Sequence, residues 1–524
     1  MNSGYLSYES FVTKTTDMQK LTIGMSILLL LGSSSFAQAQ LSLTGQLRTR
    51  TELRDGYGTL ETIGNQPAFL TSQRARLNFH YQSPRVIFHA SLQDVRVWGA
   101  DASTINNADG TRLSVHEAWA EIVLANARDS SFGPSPVQYF SVRIGRQELV
   151  YDDQRLLGNL DWLQQGRRHD AIVFKLLNNG WQADLGAAFN QNTDAVNYNG
   201  TYYTPDNIPA YVKDNKGNLT ATPSGFVPLT NAAGLSARNG NPFLTAAPGT
   251  NGATQDYKSM QFLYVAKQIQ SAKLSGLLFA DQFGRYRLDS VKNIAGPDTG
   301  YVYGWHFNQP GVNTRLTGGL LLKTPLDHRK TWNLQAGAYY QAGKDRSGAT
   351  LAAYMSTFSL AYSNPLFCWT IGWDYLSGNN SFSTSATDHR FDPLYGTPHK
   401  FWGYMDYFYA GSGSATGGLN NPFAKAKYTS RNNRLTMELN YHYFGLAAEQ
   451  KDAKGGPVSR YLGSEADLIT DYNLNKITTL ELGLCGLSAS HSMEYAKGIT
   501  PGAARLTASW AYLQFNIQPD FLTK

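Results

Sequence analysis

Apolar and polar residues alternate along most of the chain, most clearly from Leu41 to Arg54. There Leu, Gly and Thr occupy one set of alternate positions, and Ser, Gln, Arg and Glu occupy the other. Successive side chains of a β-strand point to opposite faces, so this segment is predicted to be a strand with one apolar and one charged face. It exceeds the usual strand of about 5–6 residues and matches a tilted strand that crosses a bilayer in about 9–11 residues.

The same period of two recurs, and about sixteen to eighteen such segments can be marked between Leu41 and Ile517. No convincing helical periodicity is found outside the N-terminal segment. The clearest further examples are Ala75–Tyr81, Trp181–Phe189, Trp332–Tyr340 and Leu435–Tyr443.

The connections decide which solvent the two faces meet. Tight turns at Asn178–Gly180 and Asn364–Pro365 contrast with long Gly-, Asn-, Thr- and Pro-rich connections at Asn192–Asp256 and Ser377–Pro422. Short periplasmic turns and long outer loops are typical of bacterial membrane barrels, whose aromatic residues gather near the ends of the lipid face. We therefore predict an all-β fold, a single transmembrane antiparallel β-barrel with long extracellular loops, rather than a soluble sandwich. The aromatic Ser377–Pro422 loop is expected to pack into the lumen as a constriction.

Composition agrees with this interpretation. Of 524 residues, 16% are charged, 42% hydrophobic and 13% aromatic, and the mean hydropathy is −0.35. Such a low value excludes a polytopic helical membrane protein, and the aromatic content argues against disorder. The net charge of +6 is too small to decide selectivity.

The N-terminal segment is typical of a secretory signal. Lys20 precedes the apolar stretch Leu21–Leu31, and Ala37–Ala39 forms an A-x-A cleavage site. We predict a signal peptide over residues 1–39 and a barrel over residues 40–524. Residues 1–17 do not fit a signal, and Met18 is the more natural start.

Other chemistry is sparse. Cys368 and Cys485 are too few for a disulfide scaffold; a free buried pair and a single disulfide both remain open. The chain lacks CxxC or Cys/His metal spacing, GxSxG, HExxH, P-loop and dinucleotide motifs. Scattered histidines such as His116 and His169 are expected to be polar-face residues, so neither catalysis nor a cofactor or metal is predicted.

Arginine is the most informative residue type. Between Gln40 and Asp170 every basic side chain other than His is Arg, and the first Lys after the signal is Lys175. Arg presents a rigid fork that binds carboxylates bidentately. Acids alternate with these arginines, which allows either an ion-pair network alone or a network that also filters anions. The candidate channel-lining residues are Arg48, Arg50, Arg74, Arg76, Asp94, Arg96, Glu117, Glu121, Arg143, Arg146, Arg155, Asp161, Arg168 and Asp170.

One segment breaks the alternation. Val86, Phe88 and Leu92 share a face on which Asp94 and Arg96 would follow. An Arg facing mid-membrane lipid costs about 2–4 kcal/mol. Either a bulge after Leu92 returns both charges to the lumen, or the strand has already left the hydrocarbon layer.

Several motifs, in order, resemble the alginate export family of outer-membrane porins. They are Asp94–Gly99, Gly145–Gly158, Asp161–Trp162, Arg167–Asp170, Phe391–Gly396, His399–Phe401, Asp406–Phe408 and Leu462–Asp467. The resemblance implies an 18-stranded monomeric barrel whose Arg-lined constriction passes an anionic polyuronate such as alginate outward. It also implies that eight charged residues line or brace this pathway: Arg48, Arg74, Asp94, Arg96, Arg143, Arg146, Arg155 and Arg168. The long-loop motif implies His399, Lys400 and Asp406 as constriction residues.

The predicted location is the outer membrane of a Gram-negative bacterium. Expected partners are membrane lipid, an anionic solute or polysaccharide and the barrel-assembly machinery, but no nucleic acid. A polysaccharide-processing enzyme, or a periplasmic or surface polysaccharide-binding protein, is the alternative.

Overall fold

The computed structural model describes residues 40–99, 113–190, 208–231, 233–243, 257–294, 299–409, 416–452 and 454–523. The signal peptide predicted over residues 1–39 lies outside them. Eighteen long strands in these ranges form the barrel wall. They are β1 (Gln40–Asp55), β2 (Ala68–Gln82), β3 (Val86–Val97), β4 (Leu113–Asn126), β5 (Tyr139–Gln147), β6 (His169–Asn178), β7 (Trp181–Phe189), β8 (Ser259–Ile269), β9 (Ala272–Asn293), β10 (Gly300–Pro325), β11 (Trp332–Lys344), β12 (Thr350–Ser363), β13 (Phe367–Leu376), β14 (Leu419–Thr429), β15 (Leu435–Gly445), β16 (Tyr461–Asn473), β17 (Thr478–Ala489) and β18 (Thr507–Ile517).

Each strand pairs antiparallel with the next one in the chain. The barrel closes where β18 pairs with β1, from Leu47 opposite Ile517 to Asp55 opposite Ser509. The predicted all-β barrel and its eighteen strands are confirmed. Closure leaves no unpaired edge, as a barrel in lipid requires.

The apolar face of the wall points outward. On β1, Leu47 and Leu53 are 39% and 46% exposed, whereas Arg48 and Arg50 between them are 5% and 3% exposed. A soluble sandwich would show the reverse, with its apolar face buried. The charged face of β1 therefore lines the interior of the barrel.

Connections at one end are mostly short, such as residues 179–180 and 364–366, and those at the other end are long. The second predicted long loop ends at Gly418, because Leu419 already begins β14. Within the first, described residues form short strands, and Phe226–Thr230 pairs with the extended β10. The remaining short elements are strands Tyr211–Lys213, Leu219–Ala221, Asn241–Pro242 and Asp520–Thr523, 3-10 turns Ser130–Phe132 and Pro398–Lys400, and helix α1 (His491–Ala496).

Where the chain is described, no helix is long and apolar enough to cross a bilayer. Both thiols are free: Cys485 is buried and Cys368 is half-buried. The disulfide alternative is therefore not what the structure shows.

Candidate functional site

Two long loops fold into the barrel and meet there. We call residues 148–168 the first inward loop and residues 377–418 the second inward loop. Leu157 forms a parallel bridge with Tyr395, and the backbone N–H of Thr397 donates to the carbonyl oxygen of Gln154 at 2.8 Å. The aromatic residues of the second inward loop are buried, as predicted for a constriction: Phe391, Tyr395, Trp402, Tyr407 and Phe408.

The first inward loop crosses the lumen, because it is tied to well-separated parts of the wall. Its Asp161 contacts arginines of β1 and β2. Its Arg155 donates to Asp374 on β13 at 2.7 Å. Its Asp152 accepts from the Tyr264 hydroxyl on β8 at 2.7 Å.

The central feature of the site is one carboxylate shared by three arginines. Asp161 lies 3.1 Å from Arg48, 2.7 Å from Arg74 and 3.4 Å from Arg76. The three guanidiniums come from adjacent strands, where Arg48 pairs directly with Arg74. Asp161 is thus the one carboxylate in direct contact with three positive charges, and Glu117 and Glu148 act on Arg76 from further away. Burial acts to raise the pKa of Asp161, but the three arginines together outweigh it and the pKa is lowered, so this carboxyl stays ionised.

Glutamine side chains that sequence reasoning overlooked position these arginines. Arg74 donates to Gln46 at 2.7 Å, Arg76 donates to Gln93 at 2.6 Å, and Arg48 donates to Gln164 at 3.0 Å. An amide oxygen accepts a hydrogen bond without neutralising charge. The glutamines thus fix the guanidiniums while preserving their positive charge. Their only sequence signal was a position on the polar face or in the Asp161 loop.

Next to this cluster lies a cavity of about 400 Å³, lined by Arg74, Arg76, Asp161 and seven further residues that include Pro519 and Asp520. Pro519 and Asp520 follow β18 at the end of the barrel that carries the short turns. Within the described residues, the buried Nη2 of Arg76 has no hydrogen-bond partner. Two cationic side chains, Arg74 and Arg76, therefore line an open space.

Elsewhere in the lumen, arginines are matched by acids. Arg50 binds Glu52 at 3.1 Å, and Arg143 binds Glu121 at 2.7 Å. Glu121 also accepts from Lys175. Glu117 faces the lumen opposite the buried Ser91. These residues line the lumen as expected, but as paired charges.

Four predicted lining residues lie on the outer face instead. The β2–β3 register is unbroken, so the bulge predicted after Leu92 is absent; Asp94 lies opposite Ala75, on the lipid side. Arg96 follows on that face and donates to Asp94 at 2.7 Å. Both are near the extracellular end of β3, in agreement with the alternative that the strand has left the hydrocarbon layer there.

Arg146 and Asp170 form the other outward pair, 2.8 Å apart on β5 and β6. Arg168 precedes β6 and interacts electrostatically with both. Arg146 and Asp170 therefore lie on the outer face, whereas Arg168 also interacts electrostatically with the buried His116. Strict alternation already separates Arg146 from Arg143, because the two are three positions apart on β5 and their side chains must face opposite sides.

The predicted constriction residues lie in the second inward loop. His399 Nδ1 is 2.7 Å from Asp406, and the His399 ring stacks on Trp162 of the first inward loop with centroids 4.1 Å apart. The Tyr57 hydroxyl donates to Asp406. Lys400 is exposed and donates to the Asp153 carbonyl at 3.5 Å. His399 and Asp406 thus join the two loops, and Lys400 adds a positive charge facing open space.

With this geometry in view, comparison with known proteins is informative. Residues 39–204 match the model of the family described as "Alginate export". The first third of the chain is therefore similar in sequence to that family. The match confirms the resemblance for the motifs that lie within these residues, and the predicted location in the outer membrane of a Gram-negative bacterium is confirmed. No curated protein matches the sequence.

Solved porins share the architecture. OpdK of Pseudomonas aeruginosa aligns with a TM-score of 0.50 at 9% identity, over 92% of this chain and 99% of its own. The BenF-like porin of Pseudomonas fluorescens Pf-5 gives 0.50 at 11% identity, over 92% and 99%. OccK3 (OpdO) of Pseudomonas aeruginosa gives 0.51 at 9% identity, over 92% and 96%. At such low identity, the likeness concerns the fold alone.

Proposed function

We propose that this barrel is a channel, not an enzyme, and that it passes solutes bearing a carboxylate past Arg48, Arg74 and Arg76. The observation that carries the proposal is the sharing of Asp161 among these three guanidiniums. Arg binds carboxylates through two parallel N–H donors. Positive charge held in place by neutral glutamines favours anions over cations at the narrow part of the lumen.

The adjoining cavity supports a small carboxylate group as the recognised unit. Its volume of about 400 Å³ lies within the range of roughly 300–1,000 Å³ for small-molecule sites. Arg74 and Arg76 supply positive charge to its lining. A single uronate unit and a small aromatic acid both present the carboxylate that these side chains bind.

The comparisons name two such solutes. The matching family is described by alginate, a polyuronate, and one OpdK structure was solved with vanillate, an aromatic carboxylate. The inward loops cross the lumen, so a polymer needs them to move aside, whereas a small acid needs only the remaining gaps. We therefore propose that small carboxylates pass while both inward loops are docked in the lumen, and that an anionic polysaccharide passes only when these loops are displaced.

Reversal potentials in planar bilayers test the filter. In water, one unit charge about 4 Å away is worth about 1 kcal/mol, or roughly fivefold in an equilibrium. Arg74→Gln and Arg76→Gln should each lower the chloride-to-potassium permeability ratio by about that factor. Arg96→Gln is the matched control, because it removes the same charge from the outer face.

Solute flux into proteoliposomes then identifies the solute, with vanillate, a uronate, a uronate oligomer and a neutral sugar as the panel. Carboxylates should enter faster than the neutral sugar, and Arg76→Gln should remove that advantage. Cation preference in the unmodified protein, or an equal effect of the control, would refute the arginine filter.

A further inference from the structure

A bulge on the lumen side of β4 places two consecutive side chains in the interior. Ser91 of β3 lies opposite Glu117, but the next pair of the ladder is Leu92 with Val115, so His116 is an extra residue. In an unbroken strand His116 and Glu117 would face opposite sides. Here His116 is fully buried, and Glu117 lies opposite the buried Ser91. Bulges commonly re-aim a side chain at a functional site.

The start of the first inward loop brings a third group to this bulge. Its first residue, Glu148, lies with one carboxylate oxygen 2.9 Å from Nε2 of His116. One ligand atom from each of His116, Glu117 and Glu148 lies within 4.8 Å of the others. His89 of β3 adds a second imidazole, with its Nε2 3.5 Å from the Oε2 of Glu117.

Hydrogen bonds orient both carboxylates in the same way. Oε1 of Glu117 accepts from the indole N–H of Trp119 and from the backbone N–H of Glu148, both at 3.1 Å. Oε2 of Glu148 accepts from the Asn159 amide at 2.8 Å. Each carboxylate therefore has one oxygen held by N–H donors and the other turned toward an imidazole nitrogen. Outer contacts of this kind orient the ligands of metal sites.

We propose that His116, Glu117 and Glu148 bind a divalent transition-metal ion, for which zinc is the best fit. Imidazole suits zinc and its neighbours, whereas calcium and magnesium take oxygen ligands. One imidazole and two carboxylates supply three protein ligands, and a zinc site of this kind keeps its fourth position for water. The ion would fasten the first inward loop to the wall at Glu148. The sequence predicted no metal because its three ligands come from a bulged strand and a loop.

Arg76 of the proposed anion filter interacts electrostatically with His116, Glu117 and Glu148, but metal binding at this site can be tested without transport. The full-length protein, purified in detergent and stripped with EDTA, is titrated calorimetrically with zinc chloride and, separately, with magnesium chloride. We expect one saturable zinc site and no magnesium binding at the same concentrations. Zinc should also slow amide hydrogen exchange across residues 148–168.

His116→Ala and Glu148→Gln should each weaken zinc binding by more than about tenfold. His491→Ala is the matched control, since it removes another His–Glu pair, 2.8 Å apart, whose histidine is exposed on helix α1. Heat-modifiable migration in gels verifies that each barrel is folded, and the nearly isosteric Glu148→Gln serves if His116→Ala does not fold. The proposal is overturned if zinc does not bind, if either variant binds like the unmodified protein, if His491→Ala loses binding equally, or if magnesium binds as tightly.

Discussion

Replacing Arg155 by Met should release the first inward loop. Arg155 donates from Nη1 to Asp374 at 2.7 Å and from Nε to Asp153 at 3.3 Å. Its guanidinium lies 4.0 Å from the centre of the Phe401 ring. The side chains of Arg155 and Asp374 are only 4% and 1% exposed. Met keeps most of the aliphatic stem and removes the charge alone.

The expected cost follows from what Asp374 loses. Its carboxylate would keep only the Trp402 indole N–H, 3.1 Å away. Breaking a buried ion pair on one side costs about 3–5 kcal/mol, because the remaining charge is uncompensated. Since about 1.4 kcal/mol is tenfold, the undocked fraction of the loop should rise by roughly two to three and a half orders of magnitude.

A second substitution separates this mechanism from general damage. In Arg155→Met/Asp374→Asn the buried charge is gone, and the amide oxygen can still accept from Trp402. Most of the docking should therefore return, and the coupling between the two sites should be large. If the double variant is as loose as the single one, the ion pair is not what holds the loop.

Two measurements detect the release of the first inward loop. Single-channel records should show a larger, noisier conductance in Arg155→Met than in the unmodified barrel. In a Cys368→Ser background, Cys485 is a native probe: its side chain is buried, and Tyr404 of the second inward loop interacts with it. Its labelling by a water-soluble thiol reagent should accelerate more than about tenfold in Arg155→Met and slow again in the double variant. Unchanged noise and labelling would refute the reasoning.

Three further changes have distinct outcomes. In Gly396→Ala the new Cβ would lie 2.0 Å from the Arg155 carbonyl oxygen, so the two inward loops should separate and the conductance noise should rise. Gly486→Ala is the control, because its new Cβ would have nothing within 4 Å and the conductance noise should not change. Asp161→Asn should raise the chloride-to-potassium permeability ratio about fivefold, since one nearby charge is worth about 1 kcal/mol; a fall in the reversal-potential assay would contradict this. Burial lowers the pKa of Lys497, which donates to the carbonyl oxygens of Gly58 and Tyr407, from 10.5 to about 8. Between these two pKa values the state with the loops displaced binds more protons than the docked state, so docking of the loops strengthens as the pH rises. The single-channel conductance noise should therefore fall from pH 8 to 10. Lys497→Met should abolish this pH dependence.

The barrel could be predicted because one physical requirement dominates it. Each wall strand must present apolar side chains to lipid on alternate positions, and the segment from Leu41 to Arg54 shows that pattern without interruption. The structure extends it only slightly, to Gln40–Asp55. Aromatic content was equally decisive for the second inward loop, since Phe391 and Trp402 would be costly in water.

The faces of charged residues near strand ends were harder to predict. Asp94 was predicted to face the lumen because a charge facing lipid is costly. Near the extracellular end of β3 this reason no longer applies, and Asp94 lies on the outer face. The real bulge, at His116, leaves no mark in the sequence, because two adjacent polar residues look ordinary. The sharing of Asp161 among three arginines could not be predicted from the sequence either. Asp161 lies more than a hundred residues after Arg48, and only the folding of its loop into the lumen brings the two side chains together.

The choice between a structural ion-pair network and an anion filter depends on how many acids accompany each arginine. Arg50 and Arg143 are paired with carboxylates of the wall strands, Glu52 and Glu121, which also bind Arg54 and Lys175, so they brace the wall. Arg48, Arg74 and Arg76 share Asp161, so they both hold the loop and leave positive charge. Because Asp161 belongs to the loop, displacing the loop would widen the lumen and remove the one carboxylate that all three guanidiniums share. Opening and anion preference are therefore coupled through a single carboxylate.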